Sequence, residues 1–586
     1  MACVLGAAET ASAATFTVTT TSDAPGPATA CTTPSSPCSL RDALRAANTA
    51  PDLDQIVFAI PESDPGFGGG HWTISPESLL PAIEHPVALD ATTQAGASCA
   101  PAEGAPHVLR IRLDGSRAPH TPTSNPGFNV FPSAAGSTIR GFSITGFRGV
   151  GLLLQGEAGV LCNYLGLAPD ASPAPNRLHG VAVVGPGGHV GGRTSAARNV
   201  ISANPQSGIR VTAHATDTLI EGNYIGTDPT GATVPGPQFS GVLLLDLAAR
   251  TLIGGTAPGA GNLISGNQVG VEVGRVFDEA SVAFATVIQG NRIGTDWRGE
   301  RALANLQDGV AITSPDTVVG GAEPGAGNLI AGNERAGVHV LARAKRPRIE
   351  GNRIGAGATG AALGNGADGI WTEGPVGTIG GPGAAANVIA HNGGAGISVR
   401  KPAGATDPGS ALILENSIHS NRELGIDVSQ SLALDGVTPN DAAEATNPQA
   451  LNWPTLTSAT TGASGTRVTG ALDSQPEREF ELRFYASPEA DPSGHGEGQA
   501  YLGAVRVTTD AAGNATVAAD LPTTATAGWF VSATSSTVSG RLETSEFGPT
   551  VGVTAAPRTA SPPILLAVAL TAAILLAWLL RRRRRP

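Results

Sequence analysis

The chain has 586 residues, of which 14% are charged and 4% aromatic, with 78 Gly and 44 Pro. So much glycine without a collagen period means many turns and few helices, and the length allows two or three domains. The formal net charge is −12, and five of the 36 basic residues are the terminal Arg581 to Arg585, so overall charge argues against nucleic acid and anionic polymers as partners held by charge alone.

Residues 1–14 are small and apolar, ending Ala11-Ser12-Ala13-Ala14. They read as a signal-peptide remnant lacking the basic n-region. Cys3 falls in this segment, which leaves Cys31, Cys38, Cys99 and Cys162 as an even set. That suits an exported protein with up to two disulfides, Cys31–Cys38 being favoured by proximity, with free thiols as the alternative.

Residues 15–60 read as strand, helix, strand. Leu40, Ala43, Leu44 and Ala47 share one helical face, and Ser39 is a candidate N-cap. This unit is expected to be the lid that a solenoid end requires.

Residues 61–430 are expected to form the solenoid. Asparagines recur at Asn163, Asn204, Asn223, Asn267, Asn291, Asn333, Asn352, Asn392 and Asn416, mostly as Ile-x-x-Asn. Each is followed by a glycine that opens a short apolar run, as in Gly270-Val271-Glu272-Val273, and these glycines lie 27 to 39 residues apart. A period of that size means a solenoid. Short alternating β-branched runs without amphipathic helices make it a parallel β-helix, one coil per repeat. Stacked about 4.8 Å apart, the asparagines are expected to bond side chain to side chain as one ladder, with Asn291 and Asn333 in adjacent coils. Gly-Thr-Asp loops alternate with Gly-Gly loops, so the unit of duplication is a two-coil module.

Cys38-Ser39-Leu40-Arg41-Asp42-Ala43 resembles the CSLREA motif at the N-terminus of exported bacterial β-helix proteins, with Asp42 in the glutamate place. Leu89-Asp90-Ala91-Thr92-Thr93-Gln94 and Asp435-Gly436-Val437-Thr438-Pro439-Asn440-Asp441 extend the resemblance. It implies a right-handed, pectin-lyase-like fold and secretion, in a family whose members mostly have no assigned reaction. It transfers no catalytic residue.

Residues 431–453, rich in Pro, Asn, Asp and Ala, read as a linker, and 454–555 as a small Ig-like β-sandwich. Between two of its strands, Asp491, His495 and Glu497 stand close enough in sequence to hold a metal, though a solvated hairpin loop is the simpler reading, and no metal or cofactor is assigned. After a Pro-rich spacer at 556–563, residues 564–586 read as a transmembrane helix and an Arg-rich cytoplasmic tail. Ile564 to Leu580 contains one polar residue, Thr571, and the arginines would place the ectodomain outside.

Chemistry is sought on the outward column of the Gly-Ile/Val-x-Val strands, where x is Leu153, Ala182, Arg210, Leu243, Glu272, Ala311, His339, Trp371, Ser398 and Asp427. Glu272 and Asp427 lie too many coils apart for paired-carboxylate hydrolysis. No cation joins Glu272 to His339, and Asp308 reads as a repeat turn residue because Asp368 occupies the equivalent place. Trp371, His339 and Glu272 are the candidate ligand site, for a neutral glycan stacked on Trp371. A second aromatic, Trp297, follows Gly294-Thr295-Asp296. The expectation is a membrane-anchored cell-surface rod for adhesion or glycan contact without catalysis. A polysaccharide lyase or glycoside hydrolase on this face, or a passive spacer, are the alternatives.

Overall fold

The computed structural model describes residues 13–26, 31–32, 36–118, 125–275, 281–402, 409–442, 450–556 and 574–581. The expected signal-peptide remnant, save its last two residues, and most of the expected membrane segment lie outside the described residues. Residues 574–581 are helical, and no helix among the described residues is long and apolar enough to cross a membrane.

The repeats build three long sheets, here faces A, B and C in the order each coil visits them. Face A has 13 strands, from Thr15–Val18 to Leu412–Leu414; face B has 13, from Phe67–Gly68 to Ser417–His419; face C has 11, from Phe128–Val130 to Ile426–Ser429. Pairing between coils is parallel, while Phe67–Gly68 and His71–Ile74 at the start of face B pair antiparallel. This is a parallel β-helix, and 13 strands at one strand spacing each give a rod roughly 58 Å long.

The strands are two to five residues long because each sends only one or two side chains inward. On face B the inward column runs Ile225, Ile264, Ile293, Ile330, Ile354 and Ile389, in register and fully buried. Each such side chain contributes about 1.5–3 kcal/mol by burial, which is how a chain poor in aromatics still builds a core. The glycine after these isoleucines is obligatory at the loops. Gly294 has φ +86°, and a Cβ there would lie 2.4 Å from the carbonyl oxygen of Ala331.

The asparagines form two ladders, not one. Between faces A and B stand Asn163, Asn199, Asn223, Asn262, Asn291, Asn328, Asn352, Asn387 and Asn416, each Nδ2 donating to the next Oδ1 at 2.9–3.1 Å. Between faces B and C stand Asn176, Asn204, Gln238, Asn267, Asn305, Asn333, Asn365, Asn392 and Asn421. Most of these side-chain oxygens also accept a main-chain N–H from the preceding coil, as Asn328 does from Asn291 at 3.0 Å. Most Nδ2 groups donate in addition to a carbonyl one coil back. The Ile-x-x-Asn pattern marks only the tight turns. Alternate coils carry a loop at the A–B turn or at the B–C turn, and the rung at the looped turn follows the loop. The expected neighbours Asn291 and Asn333 therefore belong to different ladders: Asn291 bonds Asn262 and Asn328, and Asn333 bonds Asn305 and Asn365.

At the N-terminal end, Leu40–Ala47 is a helix whose Ser39 hydroxyl accepts from the Asp42 N–H at 3.1 Å. Leu40, Ala43, Leu44 and Ala47 enter the solenoid core. Cys31 and Cys38 are disulfide-bonded, as are Cys99 and Cys162.

At the other end, seven strands make two four-stranded halves that share the last strand, Val551–Ala555. It pairs antiparallel with Phe530–Thr537 and parallel with Thr455–Gly462. This unit is docked on the last coil rather than tethered. Tyr485 and Phe547 join the solenoid core, and the Ile418 N–H donates to the Gly498 carbonyl at 2.8 Å. The Asp491–Gln499 stretch is not a solvated hairpin loop. Its Glu497 accepts the Asn421 N–H and Nδ2 at 3.0 Å, ending the B–C ladder. Nor do the described residues of the expected linker hang free, since Asn440 and Trp453 bond each other at 2.8 and 3.0 Å.

Candidate functional site

Face C places the outward column in the register that the repeat implies, through Glu272↔Ala311, Ala311↔His339, His339↔Trp371, Trp371↔Ser398 and Ser398↔Asp427. What those residues touch differs from the expectation.

His339 is buried, and both its ring nitrogens are engaged. Nδ1 lies 3.1 Å from Asp308 Oδ2 and Nε2 lies 3.1 Å from Glu373 Oε1. Burial by itself would lower its pKa, but the two carboxylates raise it above the ordinary value. Asp308 is therefore more than a turn residue. It accepts the Ala336 N–H at 3.1 Å, holds His339, and lies 3.6 Å from Arg335. Its equivalent Asp368 accepts the Ala395 N–H at 2.9 Å and the Ser398 hydroxyl at 2.7 Å, and pairs with Arg400. The repeated Asp-Gly dipeptides at 308 and 368 were the available signal, since a turn aspartate has a second oxygen to spend on the neighbouring coil.

Trp371 is not an open platform. From one side His339 stacks on it, with centroids 4.4 Å apart and planes at 22°. From the strand on the other side the Arg400 guanidinium sits 4.2 Å from the ring centroid, and Arg335 approaches to 5.3 Å. The indole is thus locked between an imidazole and guanidinium groups, and stacking a sugar on it would require displacing one of them.

Glu272 and His339 do share a cleft of about 630 Å³, which Trp371 does not line. Glu272 accepts the Ser240 hydroxyl at 2.8 Å and lies 3.8 Å from Arg275; burial raises its pKa despite that hydrogen bond and that charge. Contrary to the sequence expectation, cations do join this site: Arg275 and Arg335 line the cleft beside Glu272 and Asp308, over an apolar floor that includes Phe239 and Leu341. Farther along, burial and the charge of Asp435 push the Asp427 carboxyl up to about 7.

Among the described residues, one constellation could hold a metal by proximity, Cys99, His107 and Cys162. Its chemistry does not fit one. The cysteines are bonded to each other. His107 Nδ1 accepts the Ala100 N–H at 2.7 Å, and Nε2 faces the Arg198 carbonyl at 2.9 Å. No lone pair is left over, and burial lowers the His107 pKa to about 4. Trp297 lies in the Gly294-Thr295-Asp296 loop beside face B, in a groove with Arg292 and Arg353.

No family model matches the chain, and no curated protein does. Among solved structures, the periplasmic alginate epimerase AlgG shares 11% identity at a TM-score of 0.31, over 67% of this chain and 82% of its own. The A-module of the Azotobacter vinelandii mannuronan C-5 epimerase AlgE6 shares 14% at 0.30, over 69% and 92%. The enzymatically active domain of bacteriophage CBA120 tailspike protein 2 shares 9% at 0.24, over 85% and 71%. Similarity this low says nothing about the site, and the fold rests on the strand pairings above.

Proposed function

We infer that the chain is an extracytoplasmic rod that contacts a neutral glycan through the face C cleft without catalysing a reaction. The observation that carries this is the convergence of Glu272, Asp308, Arg335 and His339 on one cleft of about 630 Å³. That volume is typical of small-ligand sites, which combine an apolar lining with a few convergent polar groups. Two carboxylates and two guanidiniums line it, so the local charge balances and favours a neutral ligand.

The groups that would do chemistry are already committed. His339 has no free lone pair for general base work. Asp308 is spent on Ala336, His339 and Arg335. One observation favours the enzymatic alternative, a hydrolase or lyase: burial raises the Glu272 pKa, as a general acid requires.

A glycan array followed by titration of the hits, with reducing-end and unsaturated-product assays on the same samples, tests the reading. Binding without product is expected, weakened at least tenfold by Arg335→Ala. Product formation abolished by Glu272→Gln would replace the rod with an enzyme, and an array without hits would leave a spacer.

Location outside the cytoplasm is supported by the two disulfides, and by the resemblance of residues 38–43 to the CSLREA motif. Ile564 to Leu580 followed by five arginines supports an anchor with the ectodomain outside. Deleting 564–586 should then move the protein from the membrane to the soluble fraction. Identical partition of both forms would dismiss the anchor.

A further inference from the structure

Face B carries a groove that the reading above leaves unused. Its outward column runs Tyr224, Leu263, Arg292, Leu329, Arg353, Val388 in register. One wall is made by the Gly-Gly loops at the A–B turn and the other by the Gly-Thr-Asp loops at the B–C turn. The walls are continuous because loops of one kind stack on each other every second coil. The Trp297 N–H donates to the Gly231 carbonyl at 3.1 Å, and the Ala358 N–H to the Gly299 carbonyl at 2.8 Å. On the opposite wall a Cβ at Gly325 would lie 2.4 Å from the Thr256 carbonyl oxygen. The enclosed volume is about 810 Å³.

The charges in this groove are not balanced. Arg292 is exposed and Arg353 half-exposed, and among the described residues neither has an ion pair or a side-chain hydrogen bond. The acid that lines the groove, Glu103, is already neutralised. It lies 2.8 Å from the buried Arg198 and accepts the Tyr224 hydroxyl at 2.9 Å. Asp296, in the wall, is turned into its own loop and accepts the Glu300 N–H at 3.0 Å. Trp297 is partly exposed, with Arg298 4.9 Å from its ring centroid.

We propose that this groove is a second binding site, distinct from the face C cleft, for a linear glycan bearing carboxylate or sulfate groups. The free guanidiniums stand two coils apart, about 9.6 Å along the rod, roughly the length of two sugar rings. Leu329 lies between them and Leu263 and Val388 on either side, so cationic and aliphatic rungs alternate along the floor. A chain that turns an anionic group to the same side at every second ring meets that alternation. Each guanidinium fork takes a carboxylate or sulfate bidentately, and the intervening ring lies on the aliphatic rung. Trp297 offers a ring at the wall. The acidic balance of the whole chain does not oppose this, because screening limits distant charges to about 10 Å at moderate salt while the two arginines are in contact range. Nucleic acid fits less well, since it carries a phosphate at every nucleotide and two free cations would leave most of them unpaired.

The test is calorimetric titration of the full-length protein with a galacturonate hexasaccharide, a heparin-derived hexasaccharide, cellohexaose and a short single-stranded DNA. The carboxylated and sulfated probes separate the two sources of anion. The expected result is binding of at least one acidic probe, weakened by added salt and at least tenfold by the double substitution Arg292→Ala with Arg353→Ala. Arg292→Lys with Arg353→Lys should retain part of it, and Arg335→Ala should leave it unchanged, which keeps this site separable from the face C cleft. Unchanged binding by the double alanine variant, no acidic probe bound, cellohexaose bound as tightly as the acidic probes and lost with them in the double alanine variant, or DNA bound as tightly as either, would each overturn the proposal. Arg292 is exposed and Arg353 half-exposed, so the double variant should keep its fold, which an unchanged melting temperature checks.

Discussion

Glu497, from the C-terminal unit, accepts the main-chain N–H and the side-chain Nδ2 of Asn421 at 3.0 Å each, and so ends the B–C ladder. Every earlier rung satisfies its neighbour with another amide. The last one faces no further coil, and a carboxylate replaces the missing carbonyl oxygen. Glu497→Ala would leave the buried Asn421 main-chain N–H unpaired, at about 1–3 kcal/mol, and give up the exposed Ser420 N–H to water. Differential scanning calorimetry should show a lower melting temperature. An unchanged value would mean that apolar contact alone seats the unit.

Because the asparagines form two ladders, substitutions in them should couple selectively. Asn291→Ala and Asn333→Ala are each expected to cost about 1–3 kcal/mol, and their effects should add, since they share no hydrogen bond. Asn291 and Asn328 share two, from the Asn291 Nδ2 and main-chain N–H to Asn328 Oδ1 at 2.9 and 3.0 Å, so Asn291→Ala and Asn328→Ala should fall short of additivity. A double-mutant cycle by chemical denaturation decides it. Equal coupling in both pairs would contradict the two-ladder arrangement.

Trp371 should matter to stability more than to binding. Trp371→Ala removes the ring on which His339 and Arg400 rest and is expected to cost about 2 kcal/mol, less than a fully buried tryptophan would. If instead it abolished glycan binding while leaving the melting temperature unchanged, the ring would be a platform after all.

Docking of the C-terminal unit should weaken as pH rises. Burial first, and then the nearby charge of Asp427, push the Glu546 carboxyl up to about 8, against N–H donors from Val428 and Thr438. Asp427 is itself raised to about 7 by burial and by Asp435. Both folded values lie above the unfolded ones, near 4, so the folded state holds more protons between them. The stability they contribute is complete below about pH 4 and is lost as pH rises through 7 and 8. Melting temperatures measured from pH 5 to pH 8 should fall, and Glu546→Gln should flatten the slope. A wild-type slope in that variant would assign the effect to other groups.

The sheet architecture was legible because it is periodic. An inward isoleucine or valine at each coil, a glycine where φ must be positive, and an amide at each turn repeat in the linear order, and each is dictated by contacts with its own copy one coil away. For the same reason Glu272, Ala311, His339 and Trp371 could be placed on one outward column from spacing alone. The asparagines were legible only at tight turns, where Ile-x-x-Asn holds. At looped turns Asn262 or Asn305 follows a loop of variable length, and no fixed spacing announces it.

The surface chemistry was decided by tertiary structure. Arg335 and Arg400 reach the Trp371 ring from neighbouring coils, and Glu373 reaches His339 from beyond its own strand. Long side chains fold back over a flat sheet wherever charge and burial favour it, so an outward position does not mean an exposed one. Glu497 looked like part of a solvated loop because nothing in its local sequence refers to Asn421, 76 residues earlier. By itself the sequence determined the repeating backbone, since that follows from local geometry copied many times. Which outward groups are paired, and which are left free as Arg292 and Arg353 are, depended on coils and domains meeting in space.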